Sequence, residues 1–142
     1  MAIYDSQTQS KSTRNSRRFR DIDLDFTRNA VTNDVNVVED VIAVKRAVRN
    51  LVQTNFYERP FNPELGCGVR ELLFEPMSPL VAVVIARKIE DVITNFEPRA
   101  RLVSVRAFPD LDRNAYEVSV EFYIVNAPTE LVDFSIMLER LR

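Results

Sequence analysis

The stretch from Met77 to Leu102 constrains this chain more than any other, because it spells out both ends of a helix and the strand that follows. Ser78 can accept from the first free amides of a helix, and Pro79 fits the first helical position, where a missing N–H costs nothing. Pro98 disfavours helical dihedrals at Glu97 and removes a donor, so the helix stops near Phe96. Between these limits Ile85, Ile89, Val92, Ile93 and Phe96 recur at helical spacing, with Arg87, Lys88, Glu90, Asp91, Thr94 and Asn95 on the opposite arc. One face is buried and one is wet. Glu97 then sits at the negative end of the helix dipole, where a carboxylate is unfavourable by ~0.3–1 kcal/mol, so another group must hold it. In an extended Glu97-Pro98-Arg99 the outer two residues project to the same side. They either neutralise each other at the surface or present an acceptor and a donor fork to a partner.

After this hinge the apolar period changes to two. Val103, Val105 and Ala107 alternate with Leu102, Ser104 and Arg106, and Pro109 to Asn114 makes a turn. Tyr116, Val118, Val120, Phe122 and Ile124 form the cleanest strand, and Val132, Phe134, Ile136 and Leu138 form the next after a turn at Asn126–Thr129. Short turns between successive strands imply an antiparallel meander. Upstream, Val41, Val44, Val48, Leu51 and Val52 mark a second amphipathic helix between Val38 and Asn55, with Lys45, Arg46 and Arg49 as its solvent face. Before it, Ile22, Leu24 and Phe26 alternate with Asp21, Asp23 and Asp25, which predicts a short edge strand with its aspartates outward. These aspartates lack the glycine and distal glutamate of a calcium loop. The expected fold class is α+β: two main helices and a short one on a small antiparallel sheet, made of the three-stranded meander plus the short N-terminal strand.

Tyr57 to Pro76 holds both glycines and is proline-rich, which predicts a rigid packed loop with Phe61 and Leu65 plugged into the core. Gly66-Cys67-Gly68 lacks the rest of a phosphate-binding fingerprint, and Cys67 has no histidine to activate it, so it reads as a packing residue. With no histidine and one cysteine the chain lacks the commonest metal ligand and general base, and no internal disulfide can form; no metal or cofactor is expected. No apolar run approaches the ~20 residues that cross a bilayer, so a soluble protein from a reducing compartment is expected. Residues 1–19 read as a disordered basic arm and 20–142 as one domain. Through Lys11, Arg14, Arg17, Arg18 and Arg20 against Asp5, the first 20 residues carry a net +4, which leaves −6 for the rest. That acidic body argues against a nucleic-acid module.

Four pieces, Asp21-Ile22-Asp23-Leu24-Asp25-Phe26, Glu58-Arg59-Pro60-Phe61-Asn62-Pro63 with Gly66, Leu72-Leu73-Phe74-Glu75, and Asn95-Phe96-Glu97-Pro98-Arg99, together resemble the baseplate wedge and sheath-initiator proteins of contractile-tailed bacteriophages. That family also supplies a baseplate component of type VI secretion systems. The resemblance spans about residues 20–140 and implies a structural protein of the virion, assembled in the host cytoplasm, with a fold like the sheath's arm-binding domain. It implies that the first sheath ring adds its extended arms to this sheet, and that Glu97, Pro98 and Arg99 dock onto the helical core of the wedge, with Arg59, Pro60 and Phe61 as further partner-binding residues. Implied partners are the sheath protein, the wedge core proteins and tail tube or tube initiator proteins, without membrane or nucleic acid. The basic arm, with Arg14, Arg17, Arg18 and Arg20, departs from the family pattern. Some members carry a lysozyme-like label, so a peptidoglycan-degrading enzyme using Glu58, Glu75 or Glu97 is the alternative.

Overall fold

In a computed structural model that describes residues 18–140, the elements run β1 (Arg20–Ile22), β2 (Val37–Glu39), α1 (Asp40–Gln53), α2 (Val69–Leu72), α3 (Pro79–Phe96), β3 (Ala100–Asp110), β4 (Ala115–Ile124) and β5 (Ala127–Glu139). The last three form an antiparallel meander in the order β3-β4-β5, and β1 pairs with β2 in a separate two-stranded ribbon. The α+β architecture is the one the sequence implies. The N-terminal strand, however, joins β2 rather than the meander, with Ile22 opposite Val37 and Arg20 opposite Glu39. No helix among the described residues is long and apolar enough to cross a membrane.

The helix α3 begins and ends where its flanking residues dictate. The Ser78 hydroxyl accepts from the Val81 amide at 3.3 Å, Pro79 occupies the first turn, and the Glu97 amide closes the last turn onto the Ile93 carbonyl at 2.9 Å. Ile85, Ile89 and Ile93 are fully buried against the inward row of β4, Tyr116, Val118, Val120, Phe122 and Ile124. Val44, Val48 and Val52 of α1 close the same core, and Phe122 meets Phe134 of β5 edge to face at 6.0 Å. Each such side chain contributes about 1.5–3 kcal/mol of apolar burial. Phe96 departs from the expected stripe and is partly exposed at the end of α3.

Two loop glycines fit the packed reading of the 57–76 segment. A Cβ on Gly66 would lie 2.5 Å from the Asn55 carbonyl carbon, and Gly68 adopts φ +58° against the Phe56 ring. Cys67 is buried between them, and desolvation pushes its thiol up to about 12, so it is a packing residue rather than a nucleophile.

Three local expectations are corrected. A β-bulge between Leu102 and Ser104 inserts an extra residue into β3, so Leu102 shares the inner face with Val105 and Ala107, while Val103 turns outward. Phe61 lies wholly in solvent rather than in the core, and Leu65 alone of the pair packs inward. The third correction is the largest: the alternation at residues 21–26 runs in the opposite phase. Asp23 is buried at 8% exposure, while Ile22, Leu24 and Phe26 stand at 64%, 57% and 68%.

Ion pairing sets this phase. Arg46, expected on a solvent face of α1, reaches across to the Asp23 carboxylate and contacts Asp25 at 3.4 Å. Asp23 also accepts from the Asp25 amide and the Thr27 hydroxyl, and the Arg46 bond does most to hold its carboxyl below the usual carboxylate range. A carboxylate with several donors outweighs the burial of the alternating apolar side chains on a two-stranded ribbon.

Two measurements check this architecture. Phe122→Ala should cost about 3–5 kcal/mol in urea unfolding, whereas Leu24→Ser should stay within about 0.5 kcal/mol of the wild type. Because Asp23 is depressed in the folded state, its contribution is complete above the unfolded carboxylate value of about 4 and fades as pH falls through the lower folded value. Asp23→Asn should therefore be less stable at neutral pH and show a shallower loss of stability on acidification.

Candidate docking site at the Glu-Pro-Arg hinge

At the end of α3 the chain turns through Glu97 and Pro98 into β3, which brings the Glu97 and Arg99 side chains together. The Arg99 Nε donates to Glu97 Oε1 at 2.7 Å and Nη2 donates to Oε2 at 2.9 Å, a bidentate fork. Its Nη1 donates to both carboxylate oxygens of Asp21 on β1, at 2.9 and 3.0 Å. The Phe19 ring lies 5.7 Å from the guanidinium carbon, within cation-π range. Glu97 is only 6% exposed, and the bond to Glu97, then that to Asp21, raises the Arg99 pKa further above its ordinary value. The isolated chain thus holds the hinge as a closed internal triad. Arg99 is the group that offsets the carboxylate at the dipole's negative end.

Beside this triad lies a groove of about 530 Å³. Ala43 and Ala47 of α1 lie along it, Ile22 and Leu24 of β1 line one side, and Phe96, Glu97 and Arg59 also line it. Arg59 therefore reaches the same groove as Glu97, although 38 positions apart in sequence. Pro60 and Phe61 project from a pinched turn, in which the Asn62 amide donates to the Arg59 carbonyl at 3.2 Å and the Tyr57 amide to the Pro63 carbonyl at 2.9 Å. Phe61 is 100% exposed, and Arg59 has no ion-pair partner among the described residues.

The arm residues separate. Arg14 and Arg17 lie outside the described residues, whereas Arg18 and Arg20 both meet Glu39, at 3.4 and 2.8 Å. The Phe19 amide donates to the Asp40 carboxylate, and its ring packs on the core. Sequence reasoning did not single out Asp21, Asp23, Arg46, Ile22 or Leu24 as site residues. The available signal was a run of three aspartates with Arg46 in the middle of α1 and Arg99 just past the end of α3, which only a known phase could have joined.

Of the carboxylates considered for hydrolysis, Glu58 and Glu97 have architectural roles. Glu58 accepts from the Asn55 amide and side chain, both at 3.0 Å, and these bonds lower its pKa. A carboxyl pulled down is ionised at neutral pH and cannot serve as the general acid of a glycosidase. Glu75 is exposed, and Glu97 is consumed by Arg99.

Removing one member of the triad exposes its energetics. Arg99→Ala leaves Glu97 buried without a counter-charge and should destabilise the fold by about 2–3 kcal/mol, below the range for wholly buried pairs because Arg99 keeps some solvent contact. Asp21→Ala should cost about 1 kcal/mol, since Glu97 still satisfies Arg99; chemical unfolding of both variants measures the difference.

Known proteins bear on this arrangement. Residues 38–129 match the family described as baseplate wedge protein gp25. The baseplate wedge protein gp25 of Enterobacteria phage T4 is 31% identical over 96 residues, covering 68% of this chain and 73% of its own. A chain of the anti-feeding prophage baseplate aligns with a TM-score of 0.61 at 21% identity, over 88% of each chain. A chain of the type VI secretion baseplate complex aligns at 0.57 and 15% identity, over 70% of this chain and 93% of its own. A Geobacter sulfurreducens protein provisionally called a tail lysozyme aligns at 0.64 and 20% identity, over 71% and 91%. The last three show a shared fold. With the match running from the last residues of β2 into the start of β5, through the hinge, the chain belongs to the baseplate wedge protein gp25 family.

Proposed function

We propose that this chain is a non-enzymatic structural protein of a contractile-tail baseplate, which joins the wedge to the first sheath ring and starts sheath polymerisation by accepting extended sheath arms. The observation that carries the wedge half is the juxtaposition at the hinge: a neutralised Glu97 and Arg99, a groove with apolar walls, and a rigid loop that holds Phe61 in water. An exposed aromatic on a proline-fixed turn loses little freedom on binding, which suits it as an anchor in a partner's pocket. Small Ala43 and Ala47 on the groove wall allow a helix of the wedge core to approach closely. The sheath half is supported by the meander, whose edge strands offer unpaired backbone groups to an extended segment. The expected location is the virion tail, with sheath, wedge core and tube-associated proteins as partners.

The enzymatic alternative gains no support from the side chains. Of the acidic groups that the family label would recruit, Glu58 is held below the usual carboxylate range by its bonds from Asn55, Glu75 is exposed, and Glu97 is ion-paired with Arg99.

The wedge contact is best tested with residues that do not stabilise the isolated fold. Phe61→Ala and Arg59→Ala should leave the unfolding midpoint unchanged, and Phe61→Ala should weaken capture by co-purified wedge proteins of the same tail at least tenfold. Wild-type capture by both variants would overturn the docking site. Clearing of purified cell walls by the protein, lost on Glu58→Gln, would establish the enzyme instead.

A further inference from the structure

The meander has two edges, and they are not equivalent. Along β5, the Lys45 ammonium of α1 donates to the Asp133 carbonyl at 3.1 Å and lies 5.6 Å from the Phe134 ring centre. Farther along, α2 and the end of α1 enclose Met137 to Glu139 in a pocket of about 360 Å³, and Arg140 stacks on Phe74 at 4.8 Å. A lysine placed on an edge carbonyl, with helices flanking the rest, guards a strand against pairing. The β3 edge has no such cover: β3 pairs only with β4, and among the described residues no side chain bonds a backbone group from Arg101 to Phe108.

The chain also sets limits on what β3 can receive. The bulge at Val103 breaks the regular run toward one end, and Pro109, which has no amide to donate, leaves a gap in what the other end can offer an added strand. Ser104 to Phe108 remain as a regular run. On the outward face of this run Arg106 and Phe108 are exposed, and Arg106 has no ion pair among the described residues.

We infer that β3, and not β5, is the edge that takes an added strand, and that the strand belongs to a different subunit and carries a carboxylate beside Arg106 with an apolar residue two positions away beside Phe108. This inference rests on the strand-accepting reading above. Charge decides against a second copy of the chain. Two-fold antiparallel pairing of the whole Ser104–Phe108 run places its central residue opposite itself, so Arg106 would face Arg106 across the new ladder, and like charges in that position repel. A partner carboxylate there has the opposite effect, while the neighbouring apolar residue covers the Phe108 ring.

The register offers matched probes, because Glu117 of β4 pairs with Phe108 on one side and with Met137 on the other. A photoreactive benzoylphenylalanine is placed at Phe108 or at Met137 in the full chain, particles are assembled and irradiated, and adducts are identified by mass spectrometry. An adduct to a sheath-type subunit from position 108 alone is expected, falling at least tenfold when Arg106→Glu is added. Adducts from position 137, alone or alongside 108, would overturn the choice of edge but keep strand acceptance. A homodimer adduct from 108 would overturn the heterologous partner. Recovery of the chain in particles with no adduct at either position would overturn strand acceptance itself.

Discussion

The Arg99 guanidinium ties together parts of the molecule that would otherwise be independent. Its five donors are divided so that one side closes on Glu97, at the end of α3, and the other on Asp21, in β1. One planar group thereby fixes the angle between the long helix and the sheet, offsets a carboxylate at the dipole's unfavourable end, and straps the N-terminal ribbon to the body. A lysine could not do the same, because a point charge on a flexible stem has no fork to hold two carboxylates in fixed directions. The hinge is a turn rather than the extended run expected from the sequence: the Ala100 amide closes onto the Glu97 carbonyl at 3.1 Å, and this turn, with Pro98 inside it, brings residues 97 and 99 together.

The elements that can be read from the sequence are those whose burial is decided by their own periodicity. The two ends of α3 follow from Ser78, Pro79 and Pro98, and the inward rows of β4 and β5 follow from strict alternation across a sheet with one covered face. The failures share a different cause. At β3 a single inserted residue shifts the phase, and nothing in the composition of residues 101–104 marks it. At residues 21–26 the alternation was visible but its sense was not. Which half faces inward depends on Arg46 and Arg99, which lie 23 and 78 positions away from the aspartates they hold. Phe61 belongs to a third kind: its hydrophobicity argues for burial, but the proline-fixed turn that carries it points away from the core. Of the candidate site, the pairing of Glu97 with Arg99 was legible from spacing, while the convergence of Arg59, Ile22 and Leu24 on one groove needed the tertiary fold.

The inverted ribbon bears on how the molecule is used. Natural sequences keep local preference and global fold in agreement, and departures gather where function demands them. Here the ribbon turns Asp21 and Asp23 to the protein and its Ile22, Leu24, Phe26 and Val37 to water, and the fully exposed Phe61 is held out by the loop that also brings Arg59 to the neighbouring groove. Single exposed apolar residues are ordinary, but apolar side chains grouped on one strapped ribbon mark a surface that another protein covers. The internal ion pairs make this arrangement possible. With Arg46 and Arg99 satisfied within the chain, docking would not require either charge to be stripped of water anew, and the apolar walls can supply the driving force while the triad keeps the site in shape. On this view Glu97 and Arg99 act in assembly as a preformed, neutral frame for the groove rather than as free charges waiting for opposite ones.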